Sequence, residues 1–173
     1  MKKRLVSVPK RRVAASPKSD AEIFHVTDWP MHYLLAIVRT HSQNIDTVLK
    51  SFQCSAPAWR VLSNLAEQDG HSVNDLAELS VMERSNLSKL LESMEKDGLI
   101  ERRAPDDDKR KVAVFLTPPG RQLFDESLPL VLRYYAEFLS GISRSEMTVF
   151  MDVLRKIKSN IRSFDTREVL RGL

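Results

Sequence analysis

Cysteine is nearly absent from this 173-residue chain, which has only Cys54. One thiol cannot close an internal disulfide, so a reducing compartment, the cytoplasm, is expected. Glycine is also scarce, at five residues, and no glycine-rich phosphate loop is present. Nor is there a G-x-S-x-G elbow or an H-E-x-x-H pair, so no motif marks an enzyme. His25, His32, His41 and His71 form no zinc-ligand spacing with cysteine, and neither a metal nor a cofactor is expected. No apolar run approaches the length of a membrane span. The basic N-terminus lacks the apolar core of a secretory signal, and no membrane partner is expected.

What is present is unevenly distributed. The formal net charge is +4, yet residues 1–20 alone hold seven basic side chains and one acidic one. The remainder is therefore slightly negative, and the high isoelectric point belongs to the tail. Residues 1–24 read as a flexible basic N-terminal arm.

The rest is predominantly helical by period. Leu34, Ile37, Val38, His41, Ile45, Val48, Leu49 and Phe52 recur at helical spacing, predicting a first helix from near Thr27 or Asp28 to near Phe52. Ser55 and Pro57 open a second helix, stopped at Asp69-Gly70. Ser72 and Asp75 have capping-box spacing and open a third. A turn at Ser80–Met82 leads to a fourth helix ending near Lys96. A hairpin follows, with Pro105 and three aspartates in its turn. Val112, Val114 and Leu116 alternate on its return strand, predicting one buried face. Thr117-Pro118-Pro119 starts a fifth helix that Gly141 ends, with Pro129 expected to kink or bound it. Ser143 and Glu146 cap a sixth, whose seam is Met147, Phe150, Met151, Leu154, Ile157, Ile161 and Phe164. The first, fifth and sixth helices carry more apolar surface than one small lobe covers, which predicts a two-fold dimer.

The fourth helix carries the most information. Leu87, Leu90, Leu91 and Met94 fall on one arc; Ser85, Ser88, Lys89, Glu92 and Lys96 fall on the other. Small serines allow close approach to a groove floor, and Lys89 reaches a guanine edge or a phosphate. Alone, such a face is an ordinary solvated one. The adjoining hairpin changes that reading, because a narrow ribbon with Arg110 near its tip is shaped for a minor groove. Asp108, two residues away, is placed to pair with Arg110. Over residues 83–111 acids and bases balance at eight each, so placement and not excess carries the case. The arm at residues 1–24 either solubilises the chain or touches DNA phosphates.

Leu76-Ala77, Arg84-Ser85-Asn86-Leu87-Ser88, Met94-Glu95, Gly98-Leu99-Ile100-Glu101-Arg102, Asp108-Lys109-Arg110 and Leu116-Thr117-Pro118-Pro119-Gly120 together resemble the MarR family of bacterial transcription regulators. The resemblance implies a mainly α fold with a small β-hairpin wing, in which a winged helix-turn-helix lobe joins a helical dimerisation frame. Residues 25–54 and 121–173 correspond to the frame, and residues 55–120 to the DNA-binding module. It implies a homodimer on double-stranded, pseudo-palindromic operator DNA, and repression relieved by an aromatic acid or its acyl-thioester. Carried over by position, it places DNA contacts on Arg84, Ser85, Asn86, Ser88 and Lys89. The wing arginine falls on Arg110, its orienting aspartate on Asp108, and a phosphate anchor on Arg102 or Arg103. Glu83 stands where the family often has an aspartate cap, so the helix start is expected to shift by up to a residue.

Candidates for a ligand pocket are Trp29, His32, Tyr33 and Arg39 with Trp59, a set of aromatics with polar groups that suits an aromatic carboxylate. Taken singly, Tyr33 and Trp59 read as ordinary core, and some subset of the five is expected to line a pocket. Two alternatives stand beside the regulator: a redox sensor acting through Cys54, and a winged helix that binds protein instead of DNA.

Overall fold

A computed structural model describes residues 25–104, 112–163 and 165–171. The arm at residues 1–24, the wing tip with Asp108 and Arg110, and Phe164 lie outside the described residues. The chain divides into two compact units at Asn44–Ile45.

Among the described residues of the first unit, a 3-10 turn, Val26–Asp28, stands where a helix start was expected. Helix α1, Pro30–Leu49, starts at the proline itself. Proline suits that position because its missing N–H has no helical partner there. Within this unit the apolar side chains Leu35, Ile37 and Val38 are exposed.

The second unit opens with the last turn of α1, where Ile45 and Leu49 are buried. Helix α2, Ala56–Glu67, is doubly capped: Ser55 Oγ accepts from Ala58 N, and Asp46 Oδ1 accepts from Ala56 N at 2.8 Å. Strand β1, His71–Ser72, leads into α3, Val73–Leu79. Ser72 caps α3, and its hydroxyl donates to Asp75 Oδ2 at 2.7 Å. Helix α4, Arg84–Lys96, has Glu83 at its N-cap with no side-chain cap bond. Strands β2, Ile100–Arg103, and β3, Ala113–Leu116, form the hairpin. Helix α5 is Pro118–Phe138, α6 is Arg144–Ser163 and α7 is Thr166–Leu170.

The sheet has three antiparallel strands in the order β1-β3-β2. Strand β1 was not expected, because two residues are too few to show alternation. Its His71 pairs with Val114 and its Ser72 with Ala113. Strand β3 is thus central, and Ala113 and Val114 are both buried. Val112 precedes the strand and is exposed, contrary to the alternating pattern. Helix α5 continues through Pro129, so the proline does not bound it as one expectation had it. The proline and Asp125, whose carbonyl loses its usual N–H donor, are both exposed, so that carbonyl is open to solvent. The short α7 after Ser163 was likewise not anticipated.

Leu62, Leu65, Leu76, Leu87, Leu91, Ile100 and Val114 meet in one core with almost no exposure. At about 1.5–3 kcal/mol per buried aliphatic side chain, this cluster dominates the lobe's stability.

Two tight places fix the connections. Between α3 and α4, Val81 N donates to Glu78 O and Met82 N to Ala77 O, a paired closure that needs a left-handed residue at Val81. Val81 adopts φ 53°, where glycine is the usual occupant. At the base of the wing, Thr117 Oγ1 donates to Gly98 O at 2.6 Å and accepts from Gly120 N. A Cβ on Gly120 would lie 2.0 Å from Leu99 O. Since that oxygen is backbone, it has little room to yield. Gly120→Ala should therefore destabilise the fold by about 3 kcal/mol or more. Urea unfolding checks this, and a loss under about 1 kcal/mol would mean the junction opens easily.

Candidate nucleic-acid interface

The setting of α4 follows from its buried side. Leu87, Leu91 and Met94 are buried and Leu90 is half-buried. At about 100° per residue, Arg84, Ser85, Asn86, Lys89 and Glu92 then turn outward, and all five are exposed. Ser88 is half-buried, and its hydroxyl donates to Arg84 O at 2.9 Å. Arg84 and Lys89 form no ion pair with another described residue. The outer face therefore carries two cations, short polar groups and the uncapped first turn of a helix, where backbone N–H groups favour an anion.

The wing strands lie against the end of this helix. Arg102 N donates to Glu95 Oε1 at 3.0 Å and Arg102 Nε to Glu95 Oε2 at 2.9 Å. One carboxylate thereby grips both the backbone and the side chain of β2. Arg102 was expected as a possible phosphate anchor; the structure turns it onto Glu95. Arg103 was the other candidate. It pairs with Glu101 at 3.0 Å, and its guanidinium lies 4.0 Å from the centre of the Phe115 ring. Phe115 in turn covers Gly70. Sequence reasoning overlooked Glu95 and Phe115 as holders of these arginines. The only signal was that hairpin pairing puts Arg103 and Phe115 within a residue or two of each other across the ladder.

The ligand candidates fall in different places. Trp29, His32, Tyr33 and Arg39 all belong to the first unit and are exposed. His32 and Tyr33 meet edge to face at 5.6 Å. Trp59 belongs to the second unit, where its indole Nε1 donates to Ser127 Oγ at 2.8 Å. Its ring also lies 5.7 Å from Phe124. Trp59 is thus a hydrogen-bonded core residue joining α2 to α5. Cys54 is buried, with its thiol pushed up to about 11 by burial and by the nearby Asp46 carboxylate. It stays protonated at neutral pH, which works against peroxide sensing. Among the described residues no helix is long and apolar enough to cross a membrane.

A helix-turn-helix whose second helix shows a polar face beside a β-wing defines a winged helix-turn-helix protein. Residues 54–112 match the MarR family model. The chain is 31% identical over 101 residues to the transcriptional regulator HosA of Escherichia coli O111:H-, covering 58% of this chain and 75% of that protein. It is 23% identical over 147 residues to the transcriptional repressor IacR of Pseudomonas putida, covering 85% and 87%. The crystal structure of NadR in complex with 4-hydroxyphenylacetate superposes with a TM-score of 0.65 at 25% identity, covering 78% of this chain and 96% of that one. The chain belongs to the MarR family of transcriptional regulators.

The Glu95–Arg102 pair gives a pH-dependent prediction. Arg102 holds the Glu95 carboxyl below its usual range, chiefly through their hydrogen bond. A depressed carboxylate stabilises the fold above its unfolded pKa and loses that contribution as pH falls through the folded value. The pair is about a third exposed, so Glu95→Gln should cost under about 1 kcal/mol near neutral pH. The difference between wild type and variant should shrink as pH drops below about 4. Thermal melts at pH 7 and pH 3 measure it, and a pH-independent difference would contradict the ion-pair account.

Proposed function

We propose that the protein is a homodimeric, cytoplasmic repressor that binds double-stranded, pseudo-palindromic operator DNA and releases it when a small aromatic acid or acyl-thioester binds. The observation that carries this reading is the outward polar face of α4 beside the wing. In each half-site α4 lies in the major groove, with Lys89 and Asn86 at base edges. Arg84, Ser85 and Ser88 complete that contact near phosphates. Arg110, directed by Asp108, enters the adjacent minor groove from the wing tip. Arg103 lies nearest the backbone on β2, while Arg102 positions the strand from its seat on Glu95. The basic arm at residues 1–24 adds sequence-independent phosphate contacts.

The dimer reading is supported by uncovered apolar surface. Helix α6 has no buried residue, yet Val149, Phe150, Met151, Val153 and Ile161 line it. A groove of about 570 Å³ between Ser145 and Val153 runs along the same helix. A second copy, covering α1 and α6 of the first, accounts for these faces and sets the two α4 helices one turn of DNA apart. A bound dimer then blocks a promoter by occupancy. Ligand binding lowers affinity if the ligand prefers a different spacing of the lobes. Within the first unit, Trp29, His32, Tyr33 and Arg39 supply aromatic groups and a cation for a carboxylate, the chemistry of the ligand in the NadR complex, while Trp59 keeps to its core contacts with Ser127 and Phe124.

Lys89→Ala should weaken binding to the selected operator by about 1–3 kcal/mol and relax preference at one base pair. Equal weakening on all sequences would make it a phosphate contact. Arg110→Ala should weaken operator binding while sedimentation still shows a dimer; unchanged affinity at moderate salt removes the wing from the interface. If the wild type binds no duplex with sequence preference even at low salt, the regulator reading fails.

A further inference from the structure

The turn between α3 and α4 contains a contradiction that sequence alone does not reveal. Val81 sits at the left-handed position of the turn with φ 53°. Valine is β-branched, and there its Cβ crowds the backbone. It is also 80% exposed, so no packing around its side chain offsets the strain. Strained positions persist where surrounding contacts over-determine them. Beside the two closing bonds of the turn itself, contacts from α2 converge on the preceding residue. Arg60 Nη1 donates to Ser80 O at 2.8 Å. Asn64 Nδ2 donates to Ser80 Oγ at 3.2 Å and to Arg60 O at 2.9 Å. Ser80 is fully buried. Arg60 is half-buried and lies near Tyr135 of α5, whose phenol feels its charge.

Downstream, Met82 and Glu83 alone separate Val81 from α4. Glu83 makes no side-chain cap bond, so capping does not fix where α4 begins. The turn geometry does. We propose that Arg60, a half-buried residue of α2 outside the proposed contact face, is a positioning residue for operator recognition: it pins Ser80 O, holds Val81 left-handed and thereby sets the start of α4. The valine makes the turn depend on that pin. A glycine at the same place would hold the conformation unaided. Arg60 thus links α2, which packs on α5, to the turn, and it lies near Tyr135 of α5 as well as on Ser80 O.

The test rests on the DNA-binding reading and uses a duplex that the wild type selects from a randomised pool, with a scrambled duplex as control. Full-length Arg60→Met, Val81→Gly and the double variant are compared. Arg60→Met should weaken binding to the selected duplex roughly ten-fold, leave scrambled binding nearly unchanged and keep the same salt slope. Val81→Gly alone should stay within about two-fold of wild type, and the double variant should return to within about three-fold. Amide hydrogen exchange at residues 82–85, measured without DNA, should speed up in Arg60→Met and recover in the double variant. A double variant as weak as Arg60→Met overturns the proposal, as does a lower salt slope, which would make Arg60 a phosphate contact. If Arg60→Met does not fold, Arg60→Lys replaces it in the same cycle, because lysine keeps the charge but is a poorer match for the carbonyl. Failure of the wild type to select any duplex defeats the operator reading; the exchange cycle still decides whether Arg60 holds the turn.

Discussion

Burial of one side of α4 is the constraint on which the rest depends. Leu87, Leu91 and Met94 close the core against Leu62, Leu65 and Leu76. Removing any one of these leucines to alanine carries a cost of about 2–5 kcal/mol, a large part of a small lobe's stability. The helix therefore has one rotational setting, and its polar residues face out as a consequence. The outer face is free to vary chemically because it contributes little to folding. A reading surface can be altered residue by residue while the inner leucines hold the frame.

Electrostatics in this region works by allocation. Acids and bases are equal in number across residues 83–111, yet they are not equally engaged. Glu95 takes Arg102 and Glu101 takes Arg103, while Arg84 and Lys89 have no acidic partner among the described residues. The pairs stiffen the wing root and cancel charge where rigidity is needed. The unpaired cations remain on the outward face of α4, the face proposed to meet DNA. A count of charges would have missed this, since the same residues in other pairings would give a neutral, inert face.

The helices, their caps and the split of α4 into two faces were legible in the sequence because each is a local rule. Ser55, Ser72, Thr117 and Ser143 cap as their spacing predicts, and the leucine arc of α4 is buried. Features set by tertiary partners were not legible. Strand β1 exists only because β3 offers it two residues of ladder. Val112 looks like part of an alternating strand until pairing starts at Ala113. Arg102 looks like a free cation until Glu95 is found beside it, seven positions earlier. Pro129 looks like a break until its exposed side is seen. Val81 carries no warning in sequence at all, since backbone angle is not a property of residue type alone.

The sheet order also bears on how the molecule survives crowding. Strand β2 is an edge, and α4 covers it only at Arg102, whose backbone N–H donates to Glu95. An uncovered edge is a template for another chain's strand. Here the exposed edge reads Ile100-Glu101-Arg102-Arg103, only four residues long, with three of them charged. A strand approaching from outside would have to break ion pairs that already hold the wing in shape. The residues that root the wing thus also protect the protein from edge-to-edge aggregation.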